Sequence, residues 1–415
     1  MTVPGLDTGD TAFMLVSTAL VMLMTAGLAF FYGGLVRSKN ALTIKMQSFV
    51  ALGVVAAVWA IIGYTLAFGP DWQGRGLIGN LQYLGLRGVG VTPGPMFAAG
   101  TPGASIPHEL FMAFQMMFAI ITPALISGAF AYRMRFKSYI LFIAVWLLAV
   151  YVPLAHWIWG GGFLSQMGVI DFAGGYVVHM SAGFAALACV FVFRPRKIPA
   201  GESTAPHNVP FVALGAGLLW FGWFGFNAGS ALGANEIAAN ALVTTMLGGS
   251  FGMLSWMAVN WWVDGKPSAT GAITGAIAGL ATVTPACGFV APWAGAVIGL
   301  AAGAVCFAAT KFRGQRKWDD ALDVWACHGI GGTLGVIATG AFASASINGK
   351  AGLIEGGRDL FLTQVGAAVF VAAYAFAVTY AILRVMKWFG PIQVTEEQEL
   401  GSRDLHEHGE AAYNL

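Results

Sequence analysis

Charge is scarce in this chain: Asp, Glu, Lys and Arg together make up 10% of it, against about 25% in soluble globular domains. Hydrophobic residues make up 57% and mean hydropathy is +0.72, which excludes an ordinary soluble domain. The 21 Lys and Arg leave a net charge of only +2. They punctuate apolar runs instead of gathering into a patch, so no nucleic-acid partner is expected. Cysteine is nearly absent. Cys189, Cys287, Cys306 and Cys327 lie apart in apolar segments without C-x-x-C spacing, which argues against a disulfide framework or zinc ribbon and for small core residues. The opening "MTVPGLDTGD" lacks a basic n-region, so the first apolar run is expected to be a retained span and not a signal peptide. His156, His179, His328 and the aspartates lack the H-x-x-x-H or E-x-x-H spacing that sets two ligands on one helical face. No metal, no cofactor and no enzyme activity are expected; an intramembrane metalloenzyme is the disfavoured alternative.

Long apolar runs are abundant. They cover about 11–35, 47–68, 109–131, 138–158, 172–193, 209–232, 239–262, 269–285, 291–310, 321–343 and 360–386, each near the length that spans a bilayer. The spacing predicts an all-α integral membrane protein with eleven transmembrane helices. Alternate connections carry Arg37, Lys39 and Lys45; Arg133, Arg135 and Lys137; Arg194, Arg196 and Lys197; Lys266; Lys311, Arg313, Arg316 and Lys317; and finally Arg384, Lys387 and Arg403. The other connections hold only Arg75, Arg87, Lys350 and Arg358. Basic residues concentrate on the cytoplasmic side, which places the N-terminus outside and the C-terminus inside. The expected organisation is a membrane domain over 1–388 and a cytoplasmic tail over 389–415.

Two stretches share one pattern: "DFAGGYVVH" from Asp171 to His179 and "DALDVWACH" from Asp320 to His328. At about 1.5 Å per helical residue, each histidine lies ~12 Å beyond its aspartate, near the middle of a hydrocarbon layer ~30 Å thick. Ionisable residues at that depth point to function. With an odd number of spans the two elements run in opposite directions, as in inverted repeats. The pseudo-repeats are expected at about 11–194 and 208–343, with 360–386 as an extra helix. The competing explanation is coincidence among seven histidines.

A cation entering an apolar lumen loses its water, at a cost of tens of kcal/mol by Born estimates. A protonatable cation escapes that cost by leaving its proton behind, and a neutral imidazole offers the remaining solute one donor and one acceptor. Aromatic faces supply the other half of a cation site: Trp159 ends the fourth run, while Phe118 and Phe226 lie in the third and sixth, with Ser230 one turn after Phe226. Asp171 either favours cation approach or caps its helix. The same two roles stand for Asp320, whereas Asp323 reads as structural. Gly271, Gly275 and Gly279, and again Gly295, Gly299 and Gly303, recur every four residues, a spacing that lets membrane helices pack backbone to backbone. "WIWGGG" reads as an interfacial aromatic belt and a tight outer turn.

These motifs, with "GWFGFNAGSAL", "FQMMFAIIT", "HWIWGGG", "GAIAGLATVTPACG", "DVWACHGIGG" and the tail "HGEAAYN", together resemble the ammonium transporter (Amt/Mep/Rh) family, closest to its prokaryotic Amt branch. The resemblance runs from the first span to the C-terminus. It implies an outer ammonium site at Phe118, Trp159 and Ser230, a pore gate of Phe118 with Phe226, and pore-lining His179 and His328. It further implies recruitment and deprotonation of the cation at Asp171, with Asp320 as an inner structural or relay acid. Implied partners are ammonium or ammonia (methylammonium as an analogue), a homotrimer in the lipid bilayer of the plasma membrane, and a PII-type nitrogen-regulatory protein at the cytoplasmic face. The tail departs from the family pattern at Ser402-Arg403-Asp404, where relatives carry glycine, which permits φ > 0; altered tail docking is expected. The acids after position 390 (Glu396, Glu397, Glu399, Asp404, Glu407, Glu410) read either as subunit coupling or as a solubilising tail. The alternative function is an ammonium sensor acting through a cytosolic partner, although no transducer domain follows the last span.

Overall fold

The computed structural model describes residues 5–98, 100–198, 201 and 203–413. Among these residues the regular structure is helical, with isolated bridges but no strand. Every apolar run of the sequence falls on a helix. In chain order these are α1 (Thr8–Leu35), α2 (Ser38–Phe68), α3 (His108–Ile126), α4 (Phe136–Gln166, broken at Trp159), α5 (Gly175–Val192), α6 (Val209–Ala231) and α7 (Glu236–Asp264). They continue with α8 (Ala269–Val283), α9 (Pro292–Gln315), α10 (residues 325–342) and α11 (Arg358–Phe389). Among the described residues, nine of these segments are long and apolar enough to cross a membrane; α8 is shorter and α10 is not among the nine.

Local chemistry sets many of the boundaries. The side chains of Asp7, Asn208, Asn235 and Ser268 each accept an N–H from the first turn of the helix they precede, the groups a helix start otherwise leaves unpaired. Gly265, at φ +78°, ends α7 in the left-handed conformation that glycine adopts without steric cost.

The glycine faces pack as their spacing predicts. A Cβ on Gly279 would lie 2.2 Å from the Gly248 carbonyl oxygen, and one on Gly299 would lie 2.4 Å from the same atom. The glycines of α7 therefore meet α8 on one side and α9 on the other. α1 and α6 pair in the same way: a Cβ on Gly215 would sit 2.2 Å from the Phe31 nitrogen. Lipid provides no hydrophobic drive for such contacts, so close backbone approach supplies the dispersion energy instead. All four cysteines are buried and free, as core residues.

Two local expectations are corrected. Trp157 is not a belt residue: its ring packs on Phe163, Phe370 and Tyr374, and its indole N–H donates to the Leu77 carbonyl at 2.7 Å. A buried indole needs an acceptor, and the loop after α2 supplies one. The tail does not suffer from Ser402, which sits at φ −90° and caps a short helix, Arg403–His408; no left-handed residue is needed there. The tail instead docks on its own chain. Asp404 accepts from Leu42 N at 2.9 Å and from both Thr43 N and Thr43 Oγ1 at 2.8 Å. Arg403 donates to the Met134 carbonyl at 2.6 Å, and Glu399 pairs with Arg194. Tyr413 reaches His207 Nε2 at 2.8 Å. The closing Asn414 of "HGEAAYN" lies outside the described residues.

Candidate functional site: a line of three cavities

The two histidines that share the D-x7-H pattern meet. His179 Nδ1 lies 3.2 Å from His328 Nδ1, and the rings stack with centroids 5.2 Å apart at 19°. Glycine makes this approach possible: a Cβ on Gly183 of α5 would lie 2.0 Å from the Gly329 nitrogen of α10. Each histidine sits in a π-helical turn, Gly175–Met180 or Trp325–Ile330. Such turns insert one residue per turn and recur at functional sites.

The aspartates prove to be the caps of those turns. Asp171 Oδ1 accepts from Gly174 N (2.8 Å) and Gly175 N (2.7 Å), while Oδ2 accepts from Tyr176 N (2.8 Å) and Val177 N (3.4 Å). Asp320 Oδ2 accepts from Trp325 N at 2.7 Å. Both carboxylates are buried. Of the two roles open to Asp171, the geometry is that of a cap, and its side chain does not join Phe118, Trp159 and Ser230 around the cavity they help to line. The straight-helix distance of the sequence reading also changes, because α5 starts only at Gly175. Asp323 forms an ion pair with Arg313 at 2.7 Å.

On one side of the histidines lies a cavity of about 240 Å³ that Phe118, Trp159, Ser230, Phe111, Phe172 and Gln115 help to line. Trp159 stands at the break in α4, and its indole N–H donates to the main-chain oxygen of Asp171 at 2.8 Å. The ring meets Phe118 edge-on, centroids 5.9 Å apart. Ser230 Oγ donates to the Phe226 carbonyl at 2.8 Å, so its lone pairs are left to accept from a solute. Phe118 and Phe226 lie between this cavity and the next, with centroids 4.1 Å apart at 31°.

Beneath the two phenylalanines a narrow space offers about 20 Å³ for the centre of a water-sized molecule and is lined by Phe226, Trp223, His179, His328, Ile277 and Leu28, among other apolar residues. That is room for about one such molecule. Trp223 stacks on His179 at 5.7 Å and is pinned by Thr284 Oγ1 at 2.9 Å. His328 and Ile277 also line the next cavity, of about 140 Å³, which Asp323, Cys327 and Thr274 share. Sequence reasoning missed Trp223 and Gln115, although Trp223 lies one turn before Phe226 and Gln115 one turn before Phe118, spacings that place each pair on one helical face. His156 joins neither pore ring; its nitrogens face the Ala67 carbonyl and Asp71 Oδ1, each at 3.0 Å.

The Nδ1–Nδ1 contact restricts protonation. Two neutral imidazoles share one proton there. One Nε2 is then left as an acceptor and the other as a donor. His179 Nε2 is buried and has no hydrogen-bond partner among the described residues, so a small polar solute would satisfy a group that is otherwise costly to leave unpaired.

Helices long and apolar enough to cross a membrane, packed around a line of cavities at a buried histidine pair, define a multi-span membrane protein with a candidate passage. The model of the Ammonium Transporter Family matches residues 12–413, and the chain belongs to that family. It is 48% identical to an ammonium transporter of Bacillus subtilis (strain 168) over 98% of each chain. Its fold is similar to the crystal structure of Saccharomyces cerevisiae Mep2 (TM-score 0.87, 33% identity, 95% of this chain and 89% of that one). A structure titled "Sensor Amt Protein" is also similar (TM-score 0.86, 27% identity, 96% and 98% covered). The protein is thus a multi-span membrane protein of a transporter family and not an enzyme.

Proposed function

We propose that the protein conducts ammonium by splitting it: NH4+ binds at Phe118, Trp159 and Ser230, loses a proton, and continues as NH3 past His179 and His328. One observation carries this reading, the stacked imidazole pair with an unpartnered ring nitrogen in an otherwise apolar passage. A cation gains about 0.5–2 kcal/mol from a ring face, and the Ser230 lone pairs add a hydrogen bond. Below the two phenylalanines the space narrows to room for about one water-sized molecule among mostly apolar side chains, where keeping the charge would cost far more. The neutral species fits there, with a donor and an acceptor waiting. The relative's printed name, an ammonium transporter, agrees with this substrate.

The finer architecture belongs to the same proposal. Eleven spans, N-terminus outside and C-terminus inside, with an inverted five-plus-five repeat and α11 added, fit the basic connections and the paired π turns. The protein would act in the plasma membrane as a homotrimer, its cytoplasmic face open to a PII-type regulatory protein. In that setting Asp171 contributes through the helix start and Trp159, and Asp320 caps the inner turn. A sensor reading draws support from the likeness to a structure titled as a sensor; binding without flux in proteoliposomes would favour it.

Uptake of labelled methylammonium by cells expressing the chain tests the outer site. Trp159→Leu removes the ring face and is expected to raise the KM about 2- to 30-fold, the range set by a lost cation–π contact. An unchanged KM in a well-expressed variant would place cation binding elsewhere.

A further inference from the structure

The stretch between α4 and α5 has little helix of its own to satisfy its backbone, and buried N–H and C=O groups need partners. At Ile170 both groups are met by one side chain from α11. Gln364 Oε1 accepts from Ile170 N at 3.0 Å, and Gln364 Nε2 donates to Ile170 O at 2.8 Å. The same amide nitrogen reaches the Val336 carbonyl of α10 at 3.3 Å, and the main-chain carbonyl of Gln364 accepts from the Tyr176 hydroxyl at 2.7 Å. The side chain is fully buried at 0% exposure. Its stem is wedged against α10, where a Cβ on Gly340 would lie 3.1 Å from Gln364 Cβ and Cγ. One residue thus ties the turn that carries His179, the helix that carries His328 and the backbone just before Asp171.

The neighbour of Ile170 matters most. The main-chain oxygen of Asp171 holds the Trp159 indole at 2.8 Å, so the height of the Ile170–Asp171 backbone sets where that ring stands over the outer cavity. We propose that Gln364 is a positioning residue for the outer cation site, acting through the backbone of Ile170 and Asp171 on Trp159. It gives α11, which stands outside the expected repeat, a role in substrate affinity. The proposal rests on the reading of Trp159 as a cation-binding ring.

Methylammonium uptake in cells expressing the full chain tests it with four variants: Gln364→Met, Gln364→Glu, Trp159→Leu, and Trp159→Leu combined with Gln364→Met. Rates are normalised to folded protein measured by size exclusion. Gln364→Met keeps the bulk and removes every side-chain hydrogen bond; its KM is expected to rise about three- to tenfold, the scale of coupling between contacting residues, with the maximal rate per folded transporter retained. Gln364→Glu keeps the acceptor for Ile170 N and should shift the KM less, and it carries the test if the methionine variant fails to reach the membrane. In the combined variant the KM should be no higher than in Trp159→Leu alone, since both changes act at one ring. A Gln364→Met protein with lowered yield or rate but the wild-type KM would overturn the proposal, as would shifts that multiply in the combined variant. A Trp159→Leu protein with the wild-type KM would instead remove the outer-site reading on which the proposal rests.

Discussion

Adding ammonium to a supported bilayer is expected to evoke a current with the wild-type chain and none with the His179→Ala/His328→Ala protein. The rings meet through Nδ1 atoms 3.2 Å apart, which makes them a single proton-sharing unit. Both rings line that narrow space, and His179 Nε2 is left without a partner among the described residues. Without them a proton shed above the phenylalanine gate has no basic nitrogen to visit, and a bare charge in that space costs tens of kcal/mol by Born estimates. Loss of a positioned acid–base group typically costs about a hundredfold or more in rate, and the current should fall by at least that factor. Each single variant keeps one imidazole but loses the shared proton, so its current should also be strongly reduced. Methylammonium uptake that persists without current in the double variant would show the neutral path surviving without its relay. An undiminished current in that variant would mean that charge crosses by another route.

Asp171 carries the second large effect, and it separates the two roles the sequence leaves open. Four N–H groups converge on its two oxygens. Each buried N–H left without an acceptor costs about 1–3 kcal/mol, and several together approach the ~5–15 kcal/mol that holds a typical fold. Asp171→Ala should therefore yield little folded protein in a size-exclusion and thermal-melting assay. Asp171→Asn retains one oxygen but turns an NH2 towards N–H donors, so it should melt well below wild type and take up little methylammonium. A purely electrostatic recruiter behaves differently. Its Asn variant would melt like wild type, reach the same maximal rate, and show only a raised KM that depends on ionic strength.

Much of this site is legible in the residues because its main parts are side chains with strong preferences. Two histidines in apolar runs, each eight positions after an aspartate, identify a pair that the fold brings into contact. Phe118 and Phe226 follow from the motifs around them, and the four-residue glycine spacings mark the packing faces of α8 and α9, though not the α7 glycines they meet. What escapes the sequence depends on backbone acceptors. No residue pattern marks the main-chain oxygens of Asp171 and Leu77 as the partners of Trp159 and Trp157. The amide of Gln364 pairs with a backbone 194 positions away, a distance over which local periodicity carries no information. The π turns leave no trace in composition either, since their extra residue is accommodated by caps and close helix crossings. The same holds for Ser402, whose capping conformation depends on where the docked tail places it.

The splitting of the ion is the central claim, and potassium tests it most directly, being a monovalent cation of similar size with no proton to leave behind. Proteoliposomes carrying the wild-type chain are loaded and challenged with equal gradients of ammonium or potassium, and both fluxes are measured. The account predicts rapid ammonium entry and a potassium flux no greater than in protein-free vesicles, because an ion that keeps its charge meets the full cost of the apolar lumen. Potassium entry at a rate comparable with ammonium would contradict it, since the passage would then accept an intact cation.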